Sequence, residues 1–390
     1  MHKVNKLFFC MCLTVLVTSC GVFKGNDPDP TPLEKIDQEL INLQVQWKKT
    51  IGITANNKYY GKMIPAIQND FIYAASLKGK TTKLNAKDGS LVWNSTVVHN
   101  DSITGGIEIA SDKLFVGTLQ GKLYAIDTKT GNKIWSHELT GSIINSPVTY
   151  NNNIAVQTEN DTIKVLNTTN GSTIWNYNSP PDKLGLRGSS RPQVSVNDNI
   201  LVACFSDGKI HVLNSNTGKL LWKFAIALPH GKTELQRVVS SISAPIITNS
   251  GIYAATYQGR VTKFDNSGNI IWSEKASTYQ DLTESFDAIY LVDDTSKITA
   301  FNKKNGSVIW EQKQLLHRKL TSVVTINDYL LAGDEKGYLH VISQINGKII
   351  GRTKLGGKLV SPPIYINDTI YAIASDKLYA IKALSLASKY

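Results

Sequence analysis

The side chains able to do chemistry are few and scattered. Seven histidines, at positions 2, 99, 137, 211, 230, 317 and 340, show no HExxH pair and no spacing that puts two imidazoles on one metal. The chain has no Gly-x-Ser-x-Gly elbow, no Walker phosphate loop and no dinucleotide fingerprint, so neither an activated nucleophile nor a phosphate cradle is offered. Asp293-Asp294 could face a cation, but the pair falls where a strand turn is due and is expected to be a solvated turn. Of the four cysteines, Cys10 and Cys12 lie in an apolar leader, and Cys204 sits within the apolar run Ile200 to Phe205 as an expected buried small hydrophobe. We therefore assign no catalytic, metal or cofactor residue and expect no enzyme.

The fourth cysteine has a different chemistry. Lys3 and Lys6 precede an apolar stretch, Leu7 to Val17, that is too short to span a bilayer. It ends in Val17-Thr18-Ser19-Cys20, which resembles the bacterial lipobox, where the thiol is diacylated and the cysteine becomes the mature N-terminus. Cys20 is the expected lipid attachment site, residues 1–19 the signal peptide, and Gly21 is compatible with outer-membrane sorting. Cys204 is then the one thiol left in the mature chain outside Cys20, so no disulfide framework is expected. Residues 20–44 begin GVFKGNDPDPTP after Cys20, which reads as a flexible lipid-anchored tether. Stretched to Val45 it would reach roughly 80 Å. A short helical turn is expected within 33–46. The formal net charge is +11, but it comes from dispersed lysines without a dense basic run. That pattern suits a solvated surface and argues against nucleic acid as partner.

The elements that would carry any site come from a repeat. A polar turn, a strand, Asn or Asp, a turn ending in Gly and a Trp four residues later recur, most clearly from Gly121 to Trp135. The turn glycines are 89, 131, 171, 218, 268, 306 and 347, with spacings between 38 and 50 residues. A period near 40 with four strand signals per period is the signature of a propeller. In the second copy the strands are expected at 107–110, 113–118, 122–127 and 132–137. Leu123-Tyr124-Ala125-Ile126 is read as the alternation of sheets stacked face to face. Each Trp is expected to pack between neighbouring blades. The seventh copy, ending at Gly351, has lost its Trp. An eighth starts at Pro363 and lacks its last strand, while an orphan strand, Val45 to Thr50, stands at the other end of the chain. The expected fold is an all-β, eight-bladed propeller over 45–390. Its blades are four-stranded and antiparallel, and the ring is closed by the N-terminal strand completing the C-terminal blade.

On such a ring function resides in the departures from the period. Trp135 to Pro147 spans 12 residues, whereas Trp175 to Pro192 spans 17 and Trp222 to Pro245 spans 23. Trp47 to Pro65 is also long, at 18. The two successive long connections should lie side by side on one face. They hold Arg187, Arg191 and Arg237, half of all the arginines. Leu184 and Leu186 beside Arg187 make the apolar and cationic mix of an interface anchor.

The repeat resembles that of quinone-dependent dehydrogenases, but their adjacent cysteines and lid insertions are missing. More specifically, the chain resembles the BamB family, propeller lipoproteins of the outer-membrane β-barrel assembly machinery. The segments Leu184-Gly-Leu-Arg-Gly-Ser, Gly231-Lys-Thr-Glu-Leu-Gln-Arg, Leu315-Leu-His-Arg-Lys-Leu-Thr-Ser and Leu330-Leu-Ala-Gly-Asp-Glu-Lys-Gly-Tyr-Leu carry that resemblance. It implies a non-enzymatic scaffold on the periplasmic face of the outer membrane. Its partners would be the POTRA domains of BamA, the other lipoproteins of the machinery and nascent outer-membrane β-barrel proteins. The partner-binding residues would be Leu184, Leu186, Arg187 and Arg237. The family's acidic Asp-x-Asp pair falls on Ser240 and Ile242, which puts charge complementarity on that side in question. The alternatives are a periplasmic PQQ- or cation-dependent propeller enzyme and a glycan-binding propeller with aromatics clustered on one open face.

Overall fold

The computed structural model describes residues 28–52, 63–179, 189–227, 240 and 243–386. Their strands form eight four-stranded antiparallel sheets. Seven are continuous in sequence: blades 1 to 7 run over 66–96, 103–138, 148–178, 193–225, 246–276, 283–312 and 324–354. Blade 8 takes three strands from 364–385 and its outermost strand, Ile41–Thr50, from the other end of the chain. Ile41 stands opposite Ser385 and Thr50 opposite Lys377, with a bulge between Val45 and Trp47. That closure is the one expected, but the strand starts four residues before Val45. No helical turn forms over 33–46 where Ile41–Thr50 pairs. Apolar residues at 41, 43, 45 and 47 follow the period of two. Burying Ile41 and Leu43 against the ring outweighs the helix preference of the neighbouring Leu and Gln.

Each blade buries both of its faces. The described apolar core falls into eight clusters, one at each seam between neighbouring blades. The seam between blades 8 and 1 joins Ile373 and Leu378 to Ile72 and Leu84. This two-sided packing, that of sheets stacked face to face, explains why Leu123, Tyr124, Ala125 and Ile126 are all buried. In blade 2 the strands are Ile103–Ala110, Lys113–Thr118, Lys122–Asp127 and Lys133–Glu138.

The seven tryptophans lie in the seams. Each indole N–H donates to a backbone carbonyl of the next blade, from Trp47 to Ala86 at 3.2 Å round to Trp310 to Gln344 at 2.8 Å. Each ring also covers that blade's turn glycine. A Cβ at Gly218 would come within 2.5 Å of the Trp175 ring, and its φ of +71° is itself costly for other residues. The missing eighth tryptophan has a structural counterpart. A Cβ at Gly351 would meet the Ile41 carbonyl oxygen at 2.3 Å, so the entering N-terminal strand occupies the space a side chain would need.

Candidate partner-binding face

Antiparallel order sorts the loops. The first and third strands of a blade run the same way, so the turns after them share one face. The second-to-third turns and the connections between blades share the other. Both long connections, leaving blade 3 and blade 4, therefore emerge on the connection face and flank blade 4. Leu184, Leu186, Arg187 and Arg237 lie outside the described residues, as do Ile242 and Cys20.

What is described is the ends of the two connections. The first connection leaves through Ser179, whose N–H donates to Asp161 O at 3.1 Å. It returns through Ser189 and Ser190, both buried. The Ser190 hydroxyl donates to Gln157 Oε1 at 3.1 Å and accepts from the Cys204 N–H at 3.0 Å, while Gln157 Nε2 donates to Cys204 O at 2.9 Å. The buried Gln157 thus ties the end of this connection to blades 3 and 4. Arg191, the next cation, donates to Glu108 Oε2 at 3.0 Å, and Glu108 Oε1 accepts from the N–H and hydroxyl of Thr149. One arginine of the connection region is thereby committed to the ring itself.

The second connection is anchored likewise. Ser240 is buried, and its carbonyl accepts from the Tyr257 N–H at 2.9 Å. Ser240, where the resemblance led an acid to be expected, is therefore packed against blade 5. Ala244 N–H donates to Asp281 at 2.9 Å.

The seam between blades 3 and 4 holds an aromatic group. His211 stacks on Phe205 with ring centroids 4.2 Å apart, and its Nδ1 meets the Tyr177 hydroxyl at 3.0 Å. Burial pushes the imidazole down to about 4, so it is neutral at neutral pH and acts as core. The expected turn at Asp293-Asp294 is present. Asp293 Oδ1 accepts from the N–H and hydroxyl of Thr295 and from the Lys297 N–H. Cys204 is buried as expected. Among the described residues, no group of three or more His, Cys, Asp or Glu side chains converges as metal ligands would. The indoles, spent on seams, give no aromatic cluster of tryptophans on an open face.

A second polar group went unread in the sequence. In blade 7 the fully buried Asp334 accepts from Arg318 Nε at 2.7 Å, from the Tyr338 N–H at 2.8 Å, and faces His340 Nε2 at 3.0 Å. Burial works to raise this carboxyl, but the hydrogen bonds from His340, Tyr338 and Arg318 outweigh it and hold the group below the usual carboxylate range. Burial pushes His340 below its ordinary value in spite of that carboxylate. Arg318 and Asp334 both lie in segments singled out in the sequence, so there the segments mark a buried ion pair.

Known proteins resemble this chain over most of its length. Residues 78–312 match the family model described as outer membrane protein assembly factor BamB. The outer membrane protein assembly factor BamB of Yersinia pestis is 28% identical over 376 residues, covering 93% of each chain. That of Legionella pneumophila is 30% identical, covering 90% of this chain and 91% of the relative. The crystal structure of BamB from Moraxella catarrhalis superposes with a TM-score of 0.78 at 27% identity, covering 87% of this chain and 99% of that one.

Proposed function

The chain belongs to the BamB family of outer membrane protein assembly factors, and from that premise we propose that it is a non-enzymatic scaffold of the β-barrel assembly machinery. Cys20 carries the acyl anchor at the periplasmic face of the outer membrane. The connection face of blades 3 to 5 presents Leu184, Leu186, Arg187 and Arg237 to the POTRA domains of BamA. The ring works beside other lipoproteins of the machinery on nascent outer-membrane β-barrel proteins.

The observation that supports this best is the platform. Two long connections in succession flank one blade, and the described ends of both are held by buried hydrogen bonds. A rigid base under an apolar and cationic loop lowers the ordering cost of binding. The acyl anchor adds effective concentration at the membrane where the partner resides.

The test is a pulldown of the mature, unlipidated protein with the periplasmic domains of its own organism's BamA, with Arg187→Glu alongside. Capture by the wild type and loss with the charge reversal is the expected result. Capture unaffected by Arg187→Glu would move the interface elsewhere on the ring. No capture by a folded wild-type ring would refute the partner assignment.

A further inference from the structure

The two most exposed large apolar side chains among the described residues are Phe286, at 93%, and Ile345, at 81%. Their turns are neighbours. Phe286 is in the first turn of blade 6 and Ile345 in the last turn of blade 7, both on the face opposite the connections. The Tyr290 hydroxyl joins their turns, lying 3.1 Å from Ser285 Oγ and 3.3 Å from Gln344 Oε1. Exposed Lys304 and Lys348 stand on the same two blades.

The N-terminal segment ends in the same sector. Residues 31–40 form a strap on the rim of blades 6 and 7. Thr31 N–H donates to Leu316 O at 3.0 Å, and Arg318 Nη1 donates to Thr31 O at 2.9 Å. Arg352 Nη2 donates to Glu34 O at 2.8 Å, and Leu40 N–H to Ile350 O at 2.8 Å. Leu33 packs on the core between the two blades. Thr31 and Glu34 share a shallow groove of about 420 Å³ with Asn346, Gly347 and Lys348, next to Ile345.

From these observations we propose that the blade 6–7 rim, with Phe286 and Ile345 at its tips, is a contact surface for the lipid headgroup and acyl boundary, held there by the strap. The inference rests on the acyl anchor at Cys20. Only eight chain links separate Cys20 from Pro28, an extended reach of about 28 Å at most, not the roughly 80 Å of a tether free to Val45. The lead meets the ring at Thr31, bonded to Leu316 and Arg318 of the blade 6–7 connection and sharing a groove with Lys348 of the turn that carries Ile345, so its short reach holds this sector of the rim near the bilayer. Apolar side chains entering the interface beside cations attracted to anionic headgroups are the chemistry of a surface-bound element.

The test uses the full-length acylated lipoprotein in a Cys204→Ala background, in vesicles of phosphatidylethanolamine and phosphatidylglycerol. An environment-sensitive dye is placed at Ile345→Cys, or at Thr169→Cys on the diametrically opposed blade 3. The expected result is a blue shift and quenching by spin-labelled lipid at 345 and neither at 169. Both should be lost when Leu33→Asp and Arg352→Ala release the strap from a ring that still shows native tryptophan fluorescence. Equal signals at the two positions, or none at either, would overturn the surface while leaving the anchor standing. A signal at 345 that survives strap release would overturn the strap's role. A mature chain lacking the acyl mass would overturn the anchor reading and this inference together.

Discussion

Arg318→Met tests the buried network of blade 7. The wild-type guanidinium pairs with Asp334 at 2.7 Å, with both side chains out of solvent. Methionine matches the aliphatic stem but leaves the carboxylate with only the Tyr338 N–H and the His340 ring. Breaking a buried pair by removing one partner typically costs about 3–5 kcal/mol. The lost hydrogen bond to Thr31 O adds about 1 kcal/mol or less at that partly exposed position. Urea unfolding at pH 7, followed by tryptophan fluorescence, should therefore show a loss of about 4 kcal/mol. The loss also has a pH signature. The Asp334 carboxyl is held low in the folded state, so its stabilisation is full above the unfolded carboxylate value and lost as pH falls through the folded one. Taking away Arg318 shrinks that contribution, so wild type and variant should converge as the pH drops below about 4. A loss under about 1 kcal/mol at pH 7, or a gap that stays constant into acid, would show that the pair is not the strong buried contact its geometry describes.

Two further perturbations probe the ring. His211 is pushed down to about 4, so the unfolded chain binds its proton first; the stability this neutral ring confers is full above about 6.5 and falls as the pH drops toward 4. His211→Phe, which keeps the stack on Phe205, should flatten the pH dependence of the urea midpoint between those limits. An unchanged slope would assign the acid sensitivity elsewhere. Gly351→Trp restores the repeat's own consensus residue, yet it should destabilise the ring by about 1–3 kcal/mol, because its Cβ would collide with the Ile41 carbonyl. Differential scanning calorimetry would decide, and a raised melting temperature would mean that the entering strand can shift at no cost.

The architecture was legible because a propeller writes itself as a period. Turn glycines that must adopt positive φ and tryptophans that must reach a neighbouring carbonyl recur at fixed offsets, and counting them gave eight blades and the closing strand. The strand's first residues were misread for a physical reason. Ile41 to Gln44 carry no turn signal, and their partner lies more than 330 residues away, so only the pairing itself, Ile41 with Ser385, reveals their conformation.

The site shows the opposite balance. Connection length pointed to one face, because an extra stretch of chain between two blades has nowhere else to go. The strap left no such mark. It is held by guanidinium groups donating to backbone carbonyls of Thr31 and Glu34, contacts that any sequence offers in its carbonyls and that only the fold brings within 3 Å. Leu33 was one apolar residue in a polar run, and Arg352 one cation on an outer strand. Yet, under the proposed anchor at Cys20, the strap decides how much tether remains. Were it free, the ring could turn any face to the membrane and the loops at 184–187 and 237 would meet a partner in many orientations. Docked, it leaves a lead shorter than the strap and the closing strand that follow it. Restricting orientation raises the fraction of encounters that present the right face. Releasing the strap while leaving every loop residue intact should therefore weaken partner binding on membranes and leave it unchanged for the unlipidated ring in solution.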